Sequence, residues 1–209
     1  MKSNESRKQK ILVTGFEAFG GRSLNPSQLL LPEIARSCDF VDTIVLPVHF
    51  ENSFLTFMKH WQIHESSYQA VVLMGQAAGR RGISLERVAL NWMRSDKQDV
   101  DGNIVSTGRI LEGAPEAFIV DFFPDEWKDI LSELGETHVS LSAGAYVCNN
   151  LYYRVIHQLS EQNVPVLFVH LPLLPEQISD ADQHSPTMSL ADQSKVLVKL
   201  LDLIRNLSN

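Results

Sequence analysis

The sequence contains little cysteine, no long apolar run and no excess of positive charge. Only Cys38 and Cys148 are present, too few for a disulfide framework, so a reducing compartment such as the cytoplasm is expected. No apolar run approaches the roughly 18 residues of a membrane span, and the polar start of the chain lacks the apolar stretch of a signal peptide. With 18 basic and 25 acidic residues, the net charge is -7. Neither nucleic acid nor a membrane is therefore an expected partner.

The apolar content is sufficient for one buried core. Hydrophobic residues make up 44% of the 209 positions, which suits a single domain of this length. We expect a flexible polar tail at residues 1–10 and one folded domain at residues 11–209.

Strand-like and helix-like segments alternate along the chain. Short apolar runs predict buried strands, and apolar residues at intervals of three and four predict helices. This alternation predicts a single-domain α/β fold, a three-layer sandwich in which a mixed, mostly parallel sheet has helices on both faces. Residues 91–116 are polar and aperiodic, and predict a long loop or hairpin. Strands are predicted at 11–14, 40–48, 70–74, 83–90, 138–142 and 165–170, and helices at 26–37, 54–61, 124–134, 147–160 and 190–207.

Cys148 lies just after a predicted strand and a glycine turn at Gly144, in the first turn of a helix. The free N–H groups and the dipole of a helix N-terminus stabilise an anion, so this position predicts a lowered thiol pKa and a nucleophilic role. The same N–H groups are suited to hold an oxyanion. The alternative is a buried structural cysteine.

His170 ends a predicted strand, one helix and one strand after Cys148. The interval fits a single crossover unit, which would bring both residues to the same edge of the sheet. An imidazole there can serve as general base and acid for a thiol. A hydrogen-bonded boundary histidine is the alternative.

Glu86 interrupts an apolar strand-like run, where an unpaired carboxylate would be costly to bury. It is a candidate for orienting His170. The spacing alone favours another interpretation, in which Glu86 faces solvent or pairs with Arg87 or Arg80.

A metal site is a weaker interpretation. His60 and His64 stand one helical turn apart, followed by Glu65, but the zinc-peptidase spacing and a third ligand are missing. The glycine-bearing turns lack the Lys-Ser/Thr of a phosphate loop. We expect neither metal nor cofactor.

Four motifs, taken together, resemble the pyroglutamyl peptidase I family of cysteine peptidases, also called pyrrolidone-carboxylate peptidases. They occur in the order of that family and extend over most of the chain. They are Gly-Phe-Glu-Ala-Phe-Gly-Gly at 15–21 with Asn-Pro at 25–26, residues 74–80 with 85–91, residues 142–150, and residues 168–172 with 174–177.

The resemblance implies catalysis by Cys148 as nucleophile, His170 as base and acid, and Glu86 as the orienting carboxylate. It implies removal of N-terminal pyroglutamate from peptides without metal or cofactor, and a homo-oligomer, a dimer or tetramer. It also implies an oxyanion contact from Arg94. The residues implied to line the substrate pocket are Phe16, Phe19, Tyr146 and Val147.

The chain departs from the family pattern at Ala18, at Ala78 and throughout residues 91–123. These differences bear on the substrate more than on the type of catalysis. Two other functions therefore stay open, a related cysteine amidase with a different small acyl substrate and a non-catalytic binding protein of the same fold.

Overall fold

The structure, a computed structural model, describes residues 10–64, 67–94, 98–102, 104–178 and 183–207. Eight strands and five α-helices lie in these ranges. The predicted tail at residues 1–10 lies outside them except for Lys10, which begins the first strand. The strands are β1 (Lys10–Phe16), β2 (Val41–Leu46), β3 (Tyr68–Gln76), β4 (Ile83–Glu86), β5 (Val88–Leu90), β6 (Ala117–Ile119), β7 (Thr137–Ser140) and β8 (Val166–Leu171). The helices are α1 (Pro26–Ser37), α2 (Asn52–His64), α3 (Glu126–Ser132), α4 (Val147–Leu159) and α5 (Leu190–Asn206).

Six strands form the central sheet in the order β2-β1-β3-β8-β4-β7. All neighbours are parallel except β4 and β8, which are antiparallel. Nearly every residue of β3 and β8 is buried, because helices cover both faces of the sheet. Helices α1, α3 and α5 contact one another in one group, and α2 contacts α4 in the other. The predicted α/β sandwich with a mixed, mostly parallel sheet is confirmed.

Side-chain caps explain where two helices begin. Asn25 accepts a hydrogen bond from the Ser27 N–H, and Pro26 occupies the first position of α1. Ser189 accepts one from the Asp192 N–H at the start of α5. Both starts were predicted from these residues. Among the described residues, no helix is long and apolar enough to cross a membrane.

The single strand predicted at residues 83–90 is two strands that belong to different sheets. The break falls at Arg87. Strand β4 ends before it in the central sheet, and β5 begins after it and pairs with β6. Strand β6 was not predicted, because its three residues are half-exposed and carry little pattern. Helix α3 is shorter than the predicted 124–134, and Ile130 within it and Leu134 beyond its end are 39% and 40% exposed.

The path from β7 to β8 also differs from the prediction. The two strands are not a parallel pair, because β4 lies between them and β7 runs antiparallel to β8. A parallel crossover unit is therefore the wrong explanation for any proximity of Cys148 and His170. Helix α4 packs against β8 and β5, so its position on the sheet, and not strand direction, determines where Cys148 lies.

Candidate active site

The pairing of β4 with β8 brings Glu86 to His170. Ser84 is opposite His170 and Glu86 is opposite Phe168, so these four side chains share one face of the sheet. His170 Nδ1 lies 2.8 Å from Glu86 Oε1, and the two residues are 4% and 0% exposed. A carboxylate only accepts hydrogen bonds, so this contact favours a proton on Nδ1 and leaves Nε2 to accept one.

Arg80 forms the second contact of the Glu86 carboxylate. Its Nη2 lies 3.1 Å from Glu86 Oε1, the same oxygen that faces His170. Glu86 Oε2 is buried and has no hydrogen-bond partner among the described residues. Of the two pairings that spacing had favoured for Glu86, the one with Arg80 is present. Arg87 instead pairs with Asp125.

Cys148, the second residue of α4, lies against the middle of the sheet. A Cβ added to Gly75 would stand 2.9 Å from Cys148 Sγ and 2.9 Å from Phe168 Cζ. Gly75 is the register partner of His170 on β8. The thiol therefore lies over the glycine that neighbours His170, a position that a larger residue at 75 would deny it.

The environment of the thiol opposes ionisation. Burial raises the pKa of Cys148 to about 12, the Glu86 carboxylate adds to the rise, and a hydrogen bond from the N–H of Cys148 itself opposes it. The prediction of a lowered thiol pKa is wrong, because desolvation and a nearby negative charge outweigh the helix N-terminus. The thiol is thus protonated at rest and requires a base before it can attack a carbonyl.

Polar contacts fix the start of α4 beside the end of β5. The Asn149 side chain is fully buried, accepts from the Leu90 N–H at 3.0 Å, and donates to the Leu90 and Trp92 carbonyls, each at 2.9 Å. The Arg94 N–H donates to the Ala145 carbonyl at 2.9 Å. Asn149 and Arg94 therefore tie the turn before Cys148 to the long loop that follows β5.

That loop is organised from Asn91. The Asn91 amide accepts from the Ile110 and Leu111 N–H groups and donates to the Leu111 carbonyl. Within the described part of the loop, hairpin pairing consists of a bridge between Met93 and Gly108 and a hydrogen bond from the Asn91 N–H to the Glu116 carbonyl. The buried Asn91 side chain supports the region beside these pairings.

A cavity of about 350 Å³ opens beside Tyr146. The Tyr146 hydroxyl donates to the Gln98 carbonyl at 2.8 Å, and its ring meets Phe50 edge-on at 5.2 Å. Burial raises the Tyr146 pKa, with smaller contributions from Asp99 and Cys148. The cavity is lined by Phe19, Gly20, Gln98, Asp99, Val100 and Tyr146.

The residues predicted to line a pocket thus separate into two pairs. Phe19 and Tyr146 line the cavity, whereas Phe16 and Val147 are 2% and 1% exposed and belong to the hydrophobic core. The Arg94 side chain is exposed. Residues 98–100 were not predicted to line the pocket. They lie in the aperiodic loop, where no repeating pattern indicates which side chains face inward.

A long-range contact of Gln76, the residue after Gly75, was also not predicted. Its Oε1 accepts from Gln177 Nε2 at 2.7 Å, and the same Nε2 donates to the Leu24 carbonyl. A single sequence gives no signal for a contact between two glutamines 101 residues apart in the chain.

The suggested zinc pair has another role in the described part of the chain. His60 Nε2 lies 2.8 Å from the Tyr68 hydroxyl, which donates to Asp42. Glu65 lies outside the described residues. Within those residues, no group of three or more His, Cys, Asp or Glu side chains is placed to hold a metal ion.

Comparisons with known proteins agree with the geometry. A family model described as Pyroglutamyl peptidase matches residues 9–201. The pyrrolidone-carboxylate peptidase of Vibrio parahaemolyticus is 36% identical over 87% of this chain and 86% of its own. That of Thermococcus onnurineus is 34% identical over 93% and 96%.

Solved structures give the same result. The pyrrolidone carboxyl peptidase of Fervidobacterium islandicum superposes with a TM-score of 0.86 at 31% identity, covering 95% of this chain and 99% of its own. The pyroglutamyl peptidase I of Bacillus amyloliquefaciens gives 0.84 at 28% identity, covering 94% of both chains. The chain therefore belongs to the pyroglutamyl peptidase family and is a hydrolase of that type.

Proposed function

We propose that this enzyme removes N-terminal pyroglutamate from peptides through a thioester on Cys148, with His170 as base and acid and Glu86 as the carboxylate that orients it. The contact of Glu86 Oε1 with His170 Nδ1 at 2.8 Å carries the proposal. The position of Cys148 Sγ over Gly75, the neighbour of His170, supports it.

The first step joins proton transfer to attack. Because the thiol pKa is about 12, the proton leaves Cys148 only when His170 Nε2 accepts it. The sulfur then bonds to the carbonyl carbon that follows the pyroglutamyl ring, and the carbonyl π electrons move to oxygen. Glu86 stabilises the imidazolium formed in this step.

The oxyanion needs donors at the start of α4. The first N–H groups of a helix have no partner within it, so those in the first turn of α4 are the proposed oxyanion donors. Arg94 remains a predicted further donor, supported by the bond of its N–H to the Ala145 carbonyl in the turn before Cys148.

Three proton transfers complete the cycle. His170 gives its proton to the leaving amine as the C–N bond breaks and the thioester forms. It then takes a proton from water, whose oxygen attacks the thioester carbon. Breaking the C–S bond releases pyroglutamate and returns the proton to the sulfur.

The cavity beside Tyr146 suits a small neutral ring. Phe19 and Tyr146 offer flat apolar walls, and the backbone of residues 98–100 offers polar groups for a lactam. Phe16 and Val147 would contribute from the core by supporting these walls. The pyroglutamyl residue of a peptide carries no charge, so the pocket requires no charged anchor for it.

A fluorogenic pyroglutamyl amide tests the proposal directly. We expect turnover by the wild type, none by Cys148→Ala, and a loss on the order of 10²–10⁴-fold in kcat for Glu86→Gln. Cys38→Ala is the matched control, because this second free thiol is buried in the core. Thiol-dependent cleavage of another amide alone would indicate the amidase, and complete inertness would indicate the binding protein.

The setting of the enzyme is part of the same proposal. We place it in the cytoplasm, as a dimer or tetramer, acting on peptides with N-terminal pyroglutamate. Two free cysteines support the reducing compartment. Sedimentation analysis tests the assembly, and a purely monomeric enzyme would reject it.

A further inference from the structure

Arg80 makes four hydrogen bonds into the site from the turn between β3 and β4. Its side chain is 28% exposed and is therefore partly enclosed. The four acceptors belong to three segments of the chain, β4, β7 and the turn before α4. They are Ser84 Oγ at 3.2 Å, Ser140 Oγ at 3.0 Å, Glu86 Oε1 at 3.1 Å and the Ser142 carbonyl at 3.0 Å.

We propose that Arg80 is a positioning residue for the reaction, holding Glu86 in place for His170 and setting the pH range in which Cys148 reacts. This inference rests on the proposed function, because it takes Cys148, His170 and Glu86 to act as one unit. Arg80 is not proposed to touch the substrate.

The shared oxygen is the first argument. Arg80 and His170 both contact Glu86 Oε1, while Oε2 has no partner among the described residues. Among the described residues, the Glu86 carboxylate is thus held by two side chains. One is His170, which it orients, and the other is Arg80. Without Arg80, rotation of the carboxylate would be opposed by His170 alone.

The link to the cysteine turn is the second argument. Nη1 contacts the last residue of β7, Ser140, and Nη2 contacts both Glu86 and the Ser142 carbonyl. Residue 142 opens the segment that leads to Cys148. A planar guanidinium can donate hydrogen bonds to these acceptors at the same time, whereas a lysine ammonium is a compact point charge without that fixed geometry.

The charge is the third argument. Glu86 is fully buried and its negative charge opposes ionisation of Cys148. Arg80 offsets part of that charge. The other titratable groups described around the guanidinium are His170 and, through Ser84, His138. Removing the cation makes the site more negative, so Cys148 keeps its proton to a higher pH.

Arg80→Gln and Arg80→Lys separate geometry from charge, and Arg87→Gln is the matched control. Arg87 follows Glu86 directly and binds Asp125 and two carbonyls, but none of the site residues. Two quantities are measured: kcat/KM against pH on the pyroglutamyl amide, and the rate of Cys148 alkylation by iodoacetamide at one fixed pH. Mass spectrometry distinguishes Cys148 from the buried Cys38.

For Arg80→Gln we expect kcat/KM to fall roughly 10- to 100-fold. Its pH profile should move up by roughly 0.5 to 1 unit, and alkylation should slow roughly 3- to 10-fold as the thiolate fraction falls. Arg80→Lys should keep the wild-type pH profile and alkylation rate but lose part of kcat/KM. Arg87→Gln should keep the wild-type kcat/KM, pH profile and alkylation rate.

The outcomes distinguish the inference from the proposed function. Wild-type kcat/KM in Arg80→Gln, or equal losses in Arg80→Gln and Arg87→Gln, would overturn the positioning role, and an unchanged alkylation rate would overturn the role of the charge. An inert wild type would reject the proposed function, while alkylation would still decide on Arg80. If Arg80→Gln does not fold, Arg80→Lys with full kcat/KM is the overturning result.

Discussion

Cys148 Sγ occupies the space that a side chain at Gly75 would fill. A Cβ there would lie 2.9 Å from the sulfur, closer than real contacts allow. Gly75 also neighbours His170 across the β3–β8 pairing. The absence of one side chain is therefore what lets the thiol approach the strand that carries the histidine.

Gly75→Ala should inactivate the enzyme more than it unfolds it. The new methyl group would displace Cys148 Sγ and the Phe168 ring, with a loss of roughly 10²-fold in kcat/KM and about 1–3 kcal/mol of stability. Gly108→Ala is the control, since no heavy atom lies within 4 Å of its added Cβ. Equal kcat/KM in the two variants would show that the sulfur does not depend on this space.

The raised pKa of the Cys148 thiol should make the protein sensitive to alkali. The folded pKa of Cys148 is about 12, above the reference value of 9.0. Its contribution to stability is therefore complete below pH 9 and is lost as the pH rises towards 12. Across that window the wild type should lose up to about 1.4 kcal/mol of unfolding free energy per pH unit from this group.

Cys148→Ala should remove that part of the slope. Urea unfolding from about pH 7 to about pH 10.5 measures it, and the raised pKa of Tyr68 and Tyr152 contributes equally to both proteins. Parallel curves for wild type and variant over the whole range would contradict a raised thiol pKa.

Asn149→Ala should weaken both stability and activity. Three backbone groups of Leu90 and Trp92 would lose the fully buried side chain that they contact, at a cost of about 2–4 kcal/mol in urea unfolding. Since Asn149 follows Cys148, kcat/KM should fall as well. Asn206→Ala, at an exposed position near the end of α5, should change neither. A stability equal to that of the control would show that α4 is held by packing alone.

Local signals in the sequence were reliable where one segment settles its own structure. Asn25 with Pro26, and Ser189 with Asp192, mark helix starts because their side chains satisfy N–H groups two or three residues away. The same applies to the buried strands β1, β3 and β8. The run at 83–90 was different, because its division at Arg87 depends on distant partners, Ser140 and Val120, that local pattern does not contain.

Within the site, position relative to strands and helices identified Cys148 and His170 as candidates. Glu86 was a weaker candidate from its place in an apolar run, and the resemblance strengthened it. Spacing alone had favoured solvent or an arginine for Glu86. The structure gives Glu86 both Arg80 and His170, because antiparallel pairing of β4 with β8 places them on one face. The catalytic roles of the three residues remain the proposal to be tested.

By itself the sequence determined the fold class, the starts of α1, α4 and α5, and the candidate residues, because these follow from short-range pattern and chain order. Only the tertiary structure decided the reversed direction of β4, the space over Gly75, the cavity beside Tyr146 and the raised pKa of Cys148. Each depends on groups far apart in the chain, and burial in particular reversed the sign that the helix N-terminus alone had predicted for the thiol.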